Sequence, residues 1–239
     1  MYSFRSTIRY SEVDEKGRLS MTALIDYLQD CSTFQSESLG VGLEYLKASH
    51  LGWYLAAWNI EIPDLPKFND EIVVSTWAYG FRGLYGLRNF TIQSPDGKYY
   101  VKADSLWFLF DTKASVPVRA GEKDTAPYLK DTNPRLPMPE LERKIEVPGN
   151  GRSADSVVVA KHHLDTNHHV NNAQYVEMAR EAVAEEFKIS RLAVQYKKAA
   201  VLGDEILPSV HQIDNGYVVD LADRNGESYA VVRMVRMQA

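Results

Sequence analysis

Four of the six histidines in this 239-residue chain fall inside one short stretch, His162-His163-Leu164-Asp165-Thr166-Asn167-His168-His169-Val170-Asn171-Asn172. Within it a carboxylate (Asp165), an amide (Asn167) and an imidazole (His169) follow one another at i, i+2 and i+4. A carboxylate or an imidazole accepts a proton from water near neutral pH, and an amide orients that water. Backbone N–H groups at a helix start stabilise negative charge developing on a carbonyl oxygen. The same residues suit plainer work. Asp165 and Asn171 or Asn172 are good helix caps, and His162, His163 and His168 are expected at the surface or in support of the site. The two His-His pairs invite a metal, but neighbours in an extended chain point to opposite sides, so no metal is expected here. Cys31 sits at an apolar helical position, which suits a core residue better than a nucleophile.

The stretch needs a helix behind it and a sheet beneath. Tyr175, Met178, Ala182, Val183 and Phe187 predict a helix over residues 173–187, preceded by a strand at 156–162. Strands follow at 192–198, 205–213, 217–222 and 228–237, with Asn215-Gly216 and Asn225-Gly226 as hairpin turns. Upstream, Leu24, Tyr27, Leu28, Cys31 and Phe34 predict a helix over 21–38, with Ser20 as N-cap and Gly40 as stop. Strands are expected at 54–62, 71–81, 85–93 and 98–111, the last two joined by the turn Ser94-Pro95-Asp96-Gly97. Between the halves, residues 121–150 carry Pro127, Pro134, Pro137, Pro139 and Pro148 among polar residues and read as a connecting segment.

The order of elements repeats. Asn69-Asp70-Glu71-Ile72 corresponds to Gly203-Asp204-Glu205-Ile206, and Val13-Asp14 to Leu164-Asp165. Aligned on the aspartates, Lys16, Arg18, Leu19 and Ser20 lie opposite Asn167, His169, Val170 and Asn171, so only the second half carries Asn and His beside its Asp. Each half is one long helix and a mainly antiparallel sheet, an α+β layout. The expected division is a first unit at 1–130, a linker at 131–150 and a second unit at 151–239.

Composition narrows the function. A net charge of −5 argues against an overall basic nucleic-acid footprint. One cysteine forms no internal disulfide, and no apolar run approaches the ~20 residues of a membrane span. With no signal-like start, a cytoplasmic protein without membrane insertion is expected.

The motif Asp165-Thr166-Asn167-His168-His169-Val170-Asn171-Asn172 fits the D-x-N-x-H-V-N-N signature of the acyl-acyl carrier protein thioesterases, and the chain resembles that family in its bacterial type, related to the plant plastid enzymes. The resemblance extends through Tyr10-Ser11-Glu12-Val13-Asp14, Trp58-Asn59-Ile60-Glu61-Ile62, Ser75-Thr76-Trp77 and Ala103-Asp104-Ser105-Leu106-Trp107-Phe108-Leu109-Phe110-Asp111. It implies a tandem double hotdog, two antiparallel sheets each wrapped on a long central helix, with Asp165, Asn167 and His169 as the catalytic set. Asp165 or His169 would be the base, and backbone N–H groups at Asn171, Asn172 and Ala173 would polarise the thioester carbonyl. The first unit would hold the acyl chain, with Trp77 and Trp107 as candidate tunnel residues. The reaction needs no cofactor. The implied partner is acyl carrier protein, which is strongly acidic; Arg82, Arg88, Arg180, Lys197, Lys198, Arg233 and Arg236 are candidates for a landing patch. Two fused units leave a monomer or a homodimer open.

One departure stands out. In the plant enzymes a Tyr-basic-basic-Glu-Cys run follows the signature, whereas here the run is Tyr196-Lys197-Lys198-Ala199-Ala200. A mechanism needing that second carboxylate or a thiol does not carry over. Two other functions share the pattern: an acyl-CoA thioesterase, and an acyl-binding protein without catalysis.

Overall fold

The computed structural model describes residues 1–130 and 132–237 and divides into two compact units, Met1–Leu141 and a second that starts at Glu142. Asp131, where the linker was expected to begin, and Gln238 and Ala239 at the end of the second unit lie outside the described residues.

In the first unit β1 (Tyr2–Thr7), β2 (Leu51–Glu61), β3 (Glu71–Arg82), β4 (Tyr85–Gln93) and β5 (Tyr99–Asp111) form an antiparallel sheet in the order β1-β3-β4-β5-β2, and β6 (Val116–Val118) pairs with β5. Helix α1 (Met21–Ser38) packs on β3 and β1. It begins where Ser20 Oγ accepts the Ala23 N–H at 3.2 Å. It ends where Gly40, at φ +72°, donates to the Glu37 carbonyl while Val41 donates to that of Ser36, a glycine-dependent stop. Leu24, Ile25, Leu28 and Cys31 line its buried face, each aliphatic side chain stabilising the fold by roughly 1.5–3 kcal/mol. Phe34 departs from the expectation: it lies 44% exposed and packs edge-on against Phe4 of β1, a strand whose alternation was not anticipated.

The Pro-rich segment is more ordered than expected. Besides the short α2 (Leu43–Ala48) that follows α1, α3 (Glu122–Leu129) forms within this segment in spite of Pro127. Tertiary contacts outweigh the proline. Tyr128 is buried against Val41 and Ala78 and shares a hydrogen bond with Ser36, and Asp124 accepts from Tyr45 Oη and from the Gly121 N–H. Beyond α3 the chain crosses the sheet in extended form: Trp77 Nε1 donates to the Pro134 carbonyl, the Leu136 N–H to Asn89 Oδ1, and Arg135 pairs with buried Asp104 at 3.0 Å.

In the second unit β7 (Arg152–Ser153), β9 (Ile189–Tyr196), β10 (Glu205–Ile213), β11 (Gly216–Ala222) and β12 (Ser228–Arg236) are ordered β7-β10-β11-β12-β9, again antiparallel, with β8 (Val157–Val158) on β10. The strand expected at 156–162 shrinks to β8, followed by a 3-10 turn at Lys161–His163. His163 Nδ1 accepts the Ala160 N–H at 3.0 Å, which curls the chain away from strand geometry. Helix α4 (Asn172–Ala182) packs on β10, β11 and β12 and stops short of the expected residue 187. The residues after it are drawn to the strand ends: Phe187 packs on Tyr217 beneath the Arg236 guanidinium, and Glu185 pairs with Arg236 and accepts from Tyr217 Oη. Among the described residues no helix is long and apolar enough to cross a membrane.

Candidate active site

The stretch singled out for chemistry is a tight turn joining the 3-10 turn to α4. The Asp165 N–H donates to the His169 carbonyl at 2.8 Å, and the His168 N–H to the Asp165 carbonyl at 3.1 Å. Asp165 Oδ1 accepts the N–H groups of Asn167 (2.8 Å) and His169 (3.2 Å), so the carboxylate folds the turn around itself. Asn167 Nδ2 stands 3.5 Å from the other oxygen, Oδ2. Asp165 and His169 are half-buried, Asn167 and His168 exposed. His168 takes the left-handed conformation, φ +62°, a cost of roughly 1–2 kcal/mol for a side chain with a Cβ.

Below the turn, α4 starts with Asn171 as N-cap, its Oδ1 accepting the Ala173 N–H at 2.8 Å. The Asn171 N–H donates to the His163 carbonyl at 2.9 Å. The Asn171 and Ala173 N–H groups, expected to face a substrate carbonyl, therefore already have partners inside the protein. The Asn172 carbonyl accepts from Tyr196 Oη at 3.0 Å. Burial drives the Tyr196 hydroxyl well above its usual range, with Tyr175 adding to the shift; burial likewise pushes Tyr175 up to about 12, so both stay protonated near neutral pH.

Ala200, fully buried, ties the turn to the sheet with its backbone. Its carbonyl accepts the Val170 N–H at 2.9 Å, and its N–H donates to Tyr175 Oη at 2.8 Å. That anchoring was invisible in the sequence, where Ala199 and Ala200 registered only as missing functional groups. Ala199 beside it is exposed. Among the described residues no three His, Cys, Asp or Glu side chains converge as a metal site requires.

The remaining candidates lie elsewhere. Trp77 is buried on β3, and Trp107 on β5 is half-buried with Nε1 donating to Ser105 Oγ. Cys31 is in the core; burial pushes its thiol up to about 12, far from a ready thiolate. The proposed landing patch does not survive as a set. Arg88 is interior, bonded to Gln35 and Thr76 beneath the Tyr128 ring. Arg180, Arg233, Arg236 and Lys198 pair with Glu177, Glu142, Glu185, and Asp223 with Glu227 respectively. Strand alternation had hidden which cations face acids.

Comparison with known proteins agrees with this architecture. The model of the acyl-ACP thioesterase N-terminal domain matches residues 1–128, and that of the C-terminal domain residues 152–235. The chain belongs to the acyl-ACP thioesterase family. Its relatives include oleoyl-acyl carrier protein thioesterase 1 of Arabidopsis thaliana, 25% identical over 77% of this chain and 55% of that protein. Another is the acyl-[acyl-carrier-protein] hydrolase FATB3 of Cuphea viscosissima, 24% identical over 89% of this chain and 55% of that one. The chain thus spans about half the length of these relatives. An acyl-ACP thioesterase structure from Bacteroides thetaiotaomicron matches at TM-score 0.87 and 22% identity, covering 98% of this chain and 97% of that one. The 12:0-ACP thioesterase from Umbellularia californica matches at 0.85 and 19%, with the same coverage. These likenesses establish the fold: antiparallel sheet with few helices.

Proposed function

We propose that this protein hydrolyses the thioester of a fatty-acyl acyl carrier protein, releasing the free fatty acid and the carrier's thiol in fatty acid biosynthesis. The fold is a tandem double hotdog in which the first unit holds the acyl chain, with Trp77 and Trp107 in its wall, and the second does the chemistry. One observation carries this reading: the chain builds the same turn twice, and only the second copy presents an amide and an imidazole on it, at Asn167 and His169.

In this mechanism His169 takes a proton from water as the oxygen attacks the thioester carbonyl carbon, and Asn167 orients that water. The positive end of α4 polarises the carbonyl oxygen; the N–H groups of Asn171 and Ala173, already bonded, contribute through that field and not as direct donors. When the tetrahedral intermediate collapses, the C–S bond breaks and the thiolate takes the proton from His169. Asp165 keeps the turn folded and so holds Asn167 and His169 in place. Thiolate is a good leaving group, so neither metal nor cofactor is needed.

Thiol release from acyl carrier protein thioesters of several chain lengths tests the proposal. Wild type should turn over, and His169→Ala should fall by at least about a hundredfold. Folded protein that binds acyl chains without cleaving them would leave an acyl-binding module instead. Faster cleavage of acyl-CoA than of the carrier-bound thioester would reassign the carrier.

A further inference from the structure

Around the candidate active site the surface carries exposed apolar side chains where a lone enzyme for a small substrate has no need of them. Val158 is 59% exposed, Leu202 53% and Val201 44%. Backbone bonds hold their segments side by side: the Gly203 N–H donates to the Val159 carbonyl, the Val159 N–H to that of Asp204, and Val201 bridges His169 of the turn. Two lysines border this ridge. Lys161 sits on the 3-10 turn that leads into Asp165, and Lys197 on the segment that anchors the turn; both are exposed and neither has an ion pair among the described residues. The nearby acids are occupied. Asp165 folds its turn, Asp204 accepts the Val201 N–H and Tyr229 Oη, and Glu205 pairs with Arg224. In a chain of net charge −5, Lys161 and Lys197 are two exposed lysines without an ion-pair partner among the described residues, on apolar ground.

We infer that the ridge of Val158, Val201 and Leu202, rimmed by Lys161 and Lys197, is the docking surface for the acidic carrier protein. The inference rests on the hydrolysis proposed above, which fixes the occupant: a substrate tethered to a carrier brings the carrier's own surface up against whatever surrounds the reacting group. Acidic side chains at the carrier's rim meet the two lysines, and its apolar residues cover Leu202 and Val158. Charges at a rim act chiefly on association and on its salt dependence, whereas a covered apolar centre supplies hold. In a chain of net charge −5, these two lysines offer an acidic partner its counter-charges.

Two substrates of one chain length separate docking from chemistry: the acyl carrier protein thioester, and the same acyl group on free pantetheine. In Leu202→Asp and in Lys161→Glu with Lys197→Glu, KM for the carrier-bound substrate should rise about tenfold, and in the lysine double variant it should also lose its salt sensitivity. Rates with acyl-pantetheine should stay at wild-type level, which also reports that the turn is intact. Equal losses on both substrates, or no loss on the carrier-bound one, would overturn the inference. If wild type cleaves neither substrate, the hydrolysis reading fails on its own, and titration of the wild type and variants with fluorescently labelled holo-acyl carrier protein decides the docking surface. Weaker binding in the variants upholds it, and unchanged or absent binding overturns it.

Discussion

In the first unit Asp14 Oδ1 accepts the backbone N–H groups of Lys16 and Arg18, at 3.0 and 2.9 Å; in the second, Asp165 Oδ1 accepts those of Asn167 and His169, at 2.8 and 3.2 Å. The wiring around them matches bond for bond. Asp14 donates to the Arg18 carbonyl as Asp165 does to that of His169, and Leu19 to Pro66 as Val170 does to Ala200. The Lys67 N–H donates to Asp70 Oδ2 as the Val201 N–H does to Asp204 Oδ2. Ser20 caps one helix and Asn171 the other. A carboxylate placed this way is therefore scaffold in both copies. What differs is the load: Lys16 and Arg18 on the first turn, Asn167 and His169 on the second. A lysine and an arginine near neutral pH have no lone pair with which to take a proton from water, so the first turn is chemically inert in the proposed reaction.

The largest effect should come from giving the second turn the first turn's load. His169→Arg or Asn167→Lys removes the base or the water-orienting amide while leaving the backbone bonds in place. Of the two, His169→Arg should lower kcat/KM by at least about a hundredfold, with unfolding free energy changed by less than about 0.5 kcal/mol. Steady-state thiol release together with urea unfolding checks both halves. An active, stable His169→Arg enzyme would break the comparison at its centre.

Truncating the two aspartates separates scaffold from chemistry. Asp14→Ala and Asp165→Ala each strip an acceptor from two backbone N–H groups, and each should cost about 1–2 kcal/mol in urea unfolding. Only the Asp165 variant should also lose activity beyond its loss of folded protein. In Asp165→Asn the amide oxygen still accepts both N–H groups, so stability returns while the carboxylate's negative charge stays absent from the site. A drop of about tenfold in kcat is then expected, smaller than for loss of His169. Full activity in Asp165→Asn would reduce that carboxylate to scaffold in both turns.

How much of this was legible in the sequence follows from the range of each interaction. Helix α1 was readable to its ends, because its apolar period, the Ser20 cap and the Gly40 stop are all local. Strands β4 and β10 were readable for the same reason. Helix α4 was misjudged because Phe187 and Glu185 are claimed by Tyr217 and Arg236, partners on distant strands. Helix α3 was missed because Pro127 argues locally against a helix that Tyr128 and Asp124 hold from outside. At the site, spacing alone put Asp165, Asn167 and His169 together. The N–H bonds of Asp165, the anchoring by Ala200 and the pairing of the basic residues all depend on chain segments that spacing does not report.

A smaller difference lies in the backbone between the paired positions. Gly17 stands at φ +69° and its counterpart His168 at φ +62°. Nothing lies within 4 Å of where a Cβ on Gly17 would point, so a side chain there meets backbone strain and no clash. Gly17→His should therefore destabilise by about 1 kcal/mol, and His168→Gly should stabilise by about 0.5–1 kcal/mol in urea unfolding. Hydrolysis by His168→Gly should stay at wild-type level, since His168 has no part in the proposed chemistry. A loss of rate there would mean that the strained residue serves the site as well as the turn.

The smallest expected effect concerns the residue that curls the chain ahead of each turn. Glu12 accepts the Arg9 N–H at 2.8 Å in the first unit, and His163 Nδ1 accepts the Ala160 N–H at 3.0 Å in the second. The imidazole does this only when neutral, because a protonated ring has no lone pair to offer. Burial, with the neighbouring His162 adding to it, holds the His163 pKa below its ordinary value of 6.5. The folded protein thus binds fewer protons there than the unfolded chain, and stability rises with pH across that interval. This contribution is complete above about pH 6.5 and is lost as pH falls through that value toward the depressed folded one. Replacing the imidazole with the first unit's carboxylate, His163→Glu, keeps an acceptor that titrates well below this range. Urea unfolding from about pH 7.5 to about pH 5.5 should then show a shallower loss of stability in His163→Glu than in wild type. Identical slopes would mean that the Ala160 bond survives protonation, and that the two turns do not differ in this respect.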